Sequence, residues 1–217
     1  MSSSALKTGK AVSPARPKKS PVREYAEALA IAFVLALVIK FFLFQAFSIP
    51  SGSMEKTLLI GDYLLVNKLS YGIRNPLDNK VLIPIGQPQR GDIAVFIYPE
   101  DKTKDFIKRV IAVGGDTVEI RSKKVFINGA PMEDPYGVHV EDIIYPKSLQ
   151  RRDNLGPIKV PEGTLFVMGD NRDQSYDSRF WGFVKLEDVI GKAFIIYFSW
   201  DSDDNSVRWS RVGKLLN

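Results

Sequence analysis

The sequence contains no cysteine and only one histidine, His139. Without cysteine, disulfide bonds, thiolate zinc sites and a cysteine nucleophile are all excluded. A single histidine disfavours metal sites built from several imidazoles, and a serine–histidine catalytic pair would depend on that one residue. The side chains that remain for chemistry are carboxylates, lysines, tyrosines and hydroxyls.

The net charge of +5 comes from the first residues of the chain. Six basic residues and no acidic one precede Glu24, and the rest of the chain carries 24 basic residues against 25 acidic ones. Nucleic-acid binding requires a basic patch on the folded part of a protein, so we expect no nucleic-acid partner. The composition of residues 1–24, rich in serine, proline and lysine, predicts a disordered tail.

A long apolar run, AEALAIAFVLALVIKFFLFQAF, occupies residues 26–47. As a helix it would span about 33 Å, close to the roughly 30 Å apolar core of a bilayer. It therefore predicts a transmembrane helix over residues 25–47, with a buried core helix and a cleaved secretory signal as the alternatives. The basic residues before it place the N-terminus in the cytoplasm and all that follows on the outer side of the membrane.

The remaining domain, residues 48–217, is predicted to be mostly antiparallel β-structure. Short runs rich in β-branched and aromatic residues alternate with glycine and asparagine turn signals. Residues 117–160 are predicted to form a smaller inserted β and loop region. The acidic run at 201–205 resembles the start of a calcium loop, but Val212 stands where the glutamate ligand belongs. We interpret this run as a solvated turn.

Ser53 follows the apolar run in the stretch PSGSM, where it is either a turn residue or a nucleophile. A candidate base lies in residues 104–116, because Lys108 and Arg109 each sit among apolar neighbours on opposite faces of a predicted strand. Burial lowers the pKa of a lysine, and a neutral lysine can accept a serine proton, whereas arginine stays protonated. The alternative is that both cations lie on the surface of an edge strand.

A polar block, GDNRDQSYDSRFWG at 169–182, completes a pattern. PSGSM, FIKR followed by GGD, and this block occur in that order after an apolar anchor, and GDIAVF at 91–96 is a further match. Together these motifs resemble those of bacterial type I signal peptidases, over nearly all of residues 45–200.

The resemblance implies a role for each matching residue. Ser53 matches the nucleophile, Lys108 the general base, and Ser51 the hydroxyl that joins the Ser53 N–H in the oxyanion hole. Ser175 matches the serine that orients the lysine amine. Asp177 and Arg179 match a structural ion pair near the site, and Gly169 and Asp170 are the first residues of the same polar block. The residues that match the substrate pockets are Phe47, Ile49, Pro50, Leu58, Phe106 and Ile107. Many members have proline where this chain has Lys56, a difference expected to affect only loop stiffness.

The function that the resemblance implies is a membrane-bound serine endopeptidase. It would remove signal peptides from exported precursors after small residues, in an Ala-x-Ala pattern, through an acyl-enzyme and without metal or cofactor. Its partners would be signal peptides, the lipid bilayer and the secretion translocon, and its location the cell membrane, with the catalytic domain outside. Two alternatives stay open: a related peptidase dedicated to one secretion substrate, and a membrane-anchored domain that only binds a partner.

Overall fold

The computed structural model describes residues 20–75 and 81–216, so the predicted tail lies outside the described residues except for its last five. The first helix, α1, is Pro21–Val38. Proline suits its first position, because the amide that proline lacks would have no partner within the helix. The chain divides into two compact units between Leu37 and Val38.

The helix predicted to reach residue 47 ends earlier in the structure. A π-helical turn, Ile39–Leu43, follows α1, and Phe44–Ser48 is a strand, β1. β1 pairs antiparallel with the strand Asp62–Asn67, from Phe44 opposite Asn67 to Ser48 opposite Tyr63. The prediction was wrong here because an apolar run does not distinguish a helix from a buried strand, and the pairing partner lies further along the chain.

The described residues include no helix that is both long enough and apolar enough to cross a membrane. The helix α1 carries Arg23, Glu24 and Glu27 in its first half. The structure therefore rules out a helix that reaches residue 47, and a membrane anchor in the apolar residues before β1 stays a prediction.

The folded body is mostly antiparallel β-sheet, as predicted. Its largest sheet has the order β1-β2-β13-β5-β6-β11-β12, with β14 paired to β13. The strands of this sheet after β1 are β2 (Asp62–Asn67), β5 (Ile93–Ile97), β6 (Asp105–Val113), β11 (Thr164–Met168), β12 (Val184–Lys185), β13 (Val189–Asp201) and β14 (Ser206–Val207). A one-turn helix, α2 (Ser178–Trp181), lies between β11 and β12.

The residues of the predicted insertion form a sheet of their own, in the order β10-β7-β8-β9. Its strands are β7 (Thr117–Arg121), β8 (Lys124–Ile127), β9 (Ala130–Pro131) and β10 (Leu155–Lys159). A separate hairpin pairs β3 (Ile73–Arg74) with β4 (Val81–Ile83). The strand β6 connects the two main sheets, because Ile111 and Ala112 near its end pack among the apolar residues of the second sheet.

Candidate active site

Two polar side chains meet beside the largest sheet. Ser53 lies in a short 3-10 turn, Gly52–Met54, between β1 and β2, and Lys108 lies on β6. Lys108 Nζ is 2.6 Å from Ser53 Oγ, which is hydrogen-bonding distance. The two residues are 55 positions apart in sequence, so the fold brings them together.

The surroundings of Lys108 favour its neutral form. The residue is only 4% exposed, and this burial lowers its pKa from 10.5 to about 8, although the carboxylates of Asp177 and Asp170 act in the opposite direction. A substantial fraction of the amine is therefore neutral near pH 8. A neutral amine at hydrogen-bonding distance from a hydroxyl has the geometry of a general base.

Arg109, the next residue, faces a different environment. It is 2% exposed, and its Nε and Nη2 donate to the two carboxylate oxygens of Asp170 at 2.9 and 2.8 Å. β6 lies between β5 and β11 rather than at an edge. The alternative that both cations are surface residues of an edge strand is therefore wrong.

Asp170 also contacts the segment that follows Ser53. Thr57 Oγ1 donates to Asp170 Oδ2 at 2.6 Å. The next residue of the block, Asn171, donates its backbone N–H to the Ser53 carbonyl at 3.2 Å and its side-chain amide to the Gly52 carbonyl at 3.2 Å. The block thus holds the turn that carries Ser53.

Gly169 allows this close approach. A Cβ atom added at Gly169 would collide with Ser53 O and with the Ser175 side chain. The Gly169 N–H donates to Asp177 Oδ2 at 3.0 Å. Close backbone packing therefore explains why glycine opens the block.

Asp177 and Arg179 form the expected ion pair. Arg179 Nε and Nη2 each lie 2.8 Å from an oxygen of Asp177, and both residues are buried. Burial raises the pKa of Asp177, but the Arg179 guanidinium outweighs this effect and holds the pKa below its ordinary value. The carboxylate is therefore charged at neutral pH.

Ser175 differs from the expectation. Its buried Oγ makes no hydrogen bond to the Lys108 amine, and its hydroxyl instead lies close enough to Asp177 to help lower the pKa of that carboxyl. A serine oxygen can accept a hydrogen bond while its proton faces a carboxylate, so the Ser175 oxygen is available to a nearby donor.

A cavity of about 310 Å³ opens beside Ser53 and Lys108. Ser51 and five of the six predicted substrate-binding residues line it, namely Phe47, Ile49, Pro50, Phe106 and Ile107. The sixth, Leu58, is fully buried in the core cluster that also contains Ile49 and Met54. Leu58 follows the turn by four residues and returns to the core, so it supports the wall from behind.

Several residues at the site were not predicted. Gln174, Tyr176 and Asp105 line the cavity, and Thr57 and Asn171 hold the Ser53 turn. Asn171, Gln174 and Tyr176 belong to the polar block, whose density of polar groups was the available signal. Asp105 and Thr57 carried no such signal, because their roles depend on tertiary contacts.

Comparison with known proteins is consistent with these motifs. The sequence matches the family described as signal peptidase, peptidase S26, over residues 22–200. The chain belongs to this signal peptidase family. It is accordingly a hydrolase of the serine peptidase class, in a family of enzymes that cleave signal peptides from precursor proteins.

Individual relatives carry the same description. Signal peptidase I of Pseudomonas fluorescens is 40% identical, with 88% of this chain and 78% of that protein covered. Signal peptidase I of Aquifex aeolicus is 37% identical, with 79% and 82% covered. A crystal structure of a signal peptidase I from Enterococcus faecalis has 35% identity and a TM-score of 0.40, and covers 50% of this chain and 97% of that one.

Lys56, three residues after Ser53, has a positive backbone φ. Its φ is 73°, whereas a proline ring fixes φ near about −65°. The expectation that this difference affects only loop stiffness was incomplete, because proline cannot adopt the conformation seen here. The turn after Ser53 therefore follows a different local path from one that contains proline.

His139 is paired outside the cavity of this signal peptidase. Its Nδ1 lies 3.2 Å from Asp173 Oδ1, and it is not among the residues that line the cavity. Within residues 20–75 and 81–216, no cluster of histidine, aspartate and glutamate is arranged to hold a metal ion.

Proposed function

We propose that this enzyme removes N-terminal signal peptides from exported precursor proteins with a Ser53–Lys108 dyad. The observation that carries the proposal is the 2.6 Å distance between Lys108 Nζ and Ser53 Oγ. The buried setting of the amine, with its pKa lowered to about 8, supports lysine as the base. Arg109 cannot serve, because its guanidinium stays protonated and is paired with Asp170.

The proposed reaction has two steps. Ser53 Oγ attacks the scissile carbonyl carbon while its proton passes to Lys108 Nζ, and the same proton then goes to the leaving amine. Water then attacks the ester carbonyl while its proton passes to Lys108 Nζ, and Lys108 returns this proton to Ser53 Oγ as the acyl group leaves with a free carboxyl group. No proton acceptor outside the chain is needed.

The oxyanion of each step would be held by the Ser53 backbone N–H and the Ser51 hydroxyl. Ser51 precedes the Ser53 turn and lines the same cavity. Losing one such donor costs about 2.7–4 kcal/mol of transition-state stabilisation in a comparable site. A Ser51→Ala variant should therefore lose activity without losing the nucleophile.

Substrate choice would follow from the shape of the cavity. Its walls include Phe47, Ile49, Phe106 and Ile107, so small apolar side chains fit while larger ones are excluded. This supports cleavage after small residues, in an Ala-x-Ala pattern. The substrate would lie extended along β6, beside Ser53.

Ser175, Asp177 and Arg179 would support the dyad. The Ser175 oxygen is suited to receive a hydrogen bond from the Lys108 amine when substrate binds. The Asp177–Arg179 pair and the close packing at Gly169 keep this block in place. These roles complete the residue assignments that the motifs imply.

The proposal includes a membrane anchor in the apolar residues that precede β1, supported by the composition of that run. The N-terminus would be cytoplasmic and the catalytic domain outside, in contact with the lipid bilayer and the secretion translocon. Protease added to the outside of spheroplasts should then digest the chain beyond residue 50 and spare the tail. Digestion of the tail alone would contradict this topology.

The direct test is cleavage of a purified precursor that carries an Ala-x-Ala site, with detergent-solubilised enzyme. Mass spectrometry of the product should show a cut after the second alanine, and Ser53→Ala should abolish it. No cleavage by folded wild-type enzyme would favour a peptidase dedicated to another substrate. Cleavage that persists in Ser53→Ala would refute Ser53 as nucleophile.

A further inference from the structure

Tyr136 stacks against the buried arginine next to Lys108. The Tyr136 ring centroid is 3.7 Å from Arg109 Cζ, close enough for a strong cation–π contact. Tyr136 lies in the loop between β9 and β10, far from Arg109 in sequence, and is 37% exposed. It is not among the residues that line the catalytic cavity, so any effect on catalysis must pass through other residues.

The loop holds Tyr136 from both sides. Before it, Asp134 is paired with Arg172, whose Nη2 donates to Asp134 Oδ1 at 2.8 Å. After it, the Val138 N–H donates to the Asp170 carbonyl at 2.8 Å, and the Arg172 N–H donates to the Val138 carbonyl at 2.9 Å. Tyr136 is thus fixed to the same block that carries Asp170.

The ring adds to Arg109 a contact of a different kind from its hydrogen bonds. Its bonds to Asp170 and to the Gly91 carbonyl lie in the guanidinium plane. The Tyr136 ring lies against Arg109 Cζ, and this contact opposes movement of the guanidinium away from Asp170. The stacked ring and the in-plane bonds together define one orientation.

The orientation of Arg109 matters because its partner Asp170 accepts a hydrogen bond from Thr57, in the segment that follows Ser53. The next residue, Asn171, donates its backbone N–H to the Ser53 carbonyl. We propose that Tyr136 is a positioning residue, whose ring holds Arg109 on Asp170 and thereby fixes the Ser53 turn for attack. The inference rests on the proposed role of Ser53 as nucleophile.

The test lowers the electron density on the face of the ring at position 136 while keeping the shape of the ring. Tyr136 is replaced by phenylalanine and then by mono-, di- and trifluorophenylalanine, which weaken the cation–π contact stepwise, and by leucine, which removes it. We expect phenylalanine to keep kcat and the fluorinated series to lower it in order. Leucine should lower kcat by about threefold to thirtyfold, with KM unchanged within about twofold.

The control is Phe126→Leu, which removes a ring that lies 4.6 Å from Arg121 Cζ in the second sheet. It should change the melting temperature at most, and leave kcat unaltered. A flat kcat across the fluorinated series would overturn the inference, even if Tyr136→Leu failed to fold. Ser53→Ala is measured in parallel, because activity in that variant would refute the nucleophile and not the role of Tyr136.

Discussion

Replacing Lys108 by methionine should make the protein more stable at neutral pH while abolishing its activity. Methionine has a similar unbranched length and carries no charge. At pH 7 the wild-type protein keeps a charged amine in a buried position, which opposes folding. The lowering of the Lys108 pKa from 10.5 to about 8 corresponds to a penalty of about 3 kcal/mol for that charge.

The size of the gain follows from two opposing terms. The variant removes the penalty of about 3 kcal/mol and loses the hydrogen bond to Ser53, worth about 1 kcal/mol. A net gain of about 2 kcal/mol should therefore be seen below pH 8. The penalty is fully present below the folded-state pKa, and it fades between about 8 and 10.5 because the folded protein then holds the amine neutral.

The assay is urea unfolding of wild type and Lys108→Met in detergent, followed by tryptophan fluorescence at intervals from pH 7 to pH 10. The stability advantage of the variant should be constant up to about pH 8 and then shrink towards pH 10. The control is Lys124→Met, which removes an exposed lysine from β8 and so makes the same change in net charge at a solvated position. A difference between wild type and Lys108→Met that does not vary with pH would refute the argument that burial disfavours the Lys108 charge.

The other predictions concern activity and the turn. Activity on a signal-peptide substrate should rise with pH through about 8, and a pH–rate profile whose acid limb is centred near 10.5 would contradict a lowered Lys108 pKa. Lys108→Arg should be as inactive as Lys108→Ala. Gly169→Ala should reduce kcat by about 100-fold, since its Cβ would displace the Ser53 carbonyl; kinetics close to wild type would contradict that packing. Lys56→Pro should destabilise the protein by more than about 1 kcal/mol in urea unfolding, while Lys56→Gly is tolerated, because φ is 73° there. His139→Ala should keep activity within about twofold, because its partner Asp173 accepts other donors; an inactive but folded variant would reopen a serine–histidine mechanism.

The strands that sequence reasoning located best are those with long β-branched runs. The strand predicted within residues 104–116 is β6, Asp105–Val113, and KAFIIYF at 192–198, one of the short β-branched and aromatic runs, lies within the longer β13. Two-residue strands such as β3, β9 and β14 were not predicted, since pairing with a distant neighbour defines them rather than composition. The same limit explains β1, whose apolar sequence also suits a helix.

The Ser53–Lys108 pair could be proposed from the sequence because the motifs resemble those of signal peptidases, and because lysine, unlike arginine, can lose its proton. The contacts that support this pair could not be predicted from the sequence. Whether Thr57 reaches Asp170, or Tyr136 reaches Arg109, depends on loops that meet only in the fold. These residues are far apart in the sequence, so no local pattern of residue types predicts their contacts.

Adjacent positions on β6 give two cations opposite properties. The two side chains point to opposite faces of the strand, where Arg109 meets the Asp170 carboxylate. Among the residues that the structure describes, no carboxylate forms an ion pair with Lys108, and its polar contact is the Ser53 hydroxyl. A paired cation keeps its proton, while a buried unpaired amine loses it more readily. Pairing Arg109 and leaving Lys108 unpaired therefore keeps the Ser53 turn in place and leaves the lysine able to act as a base.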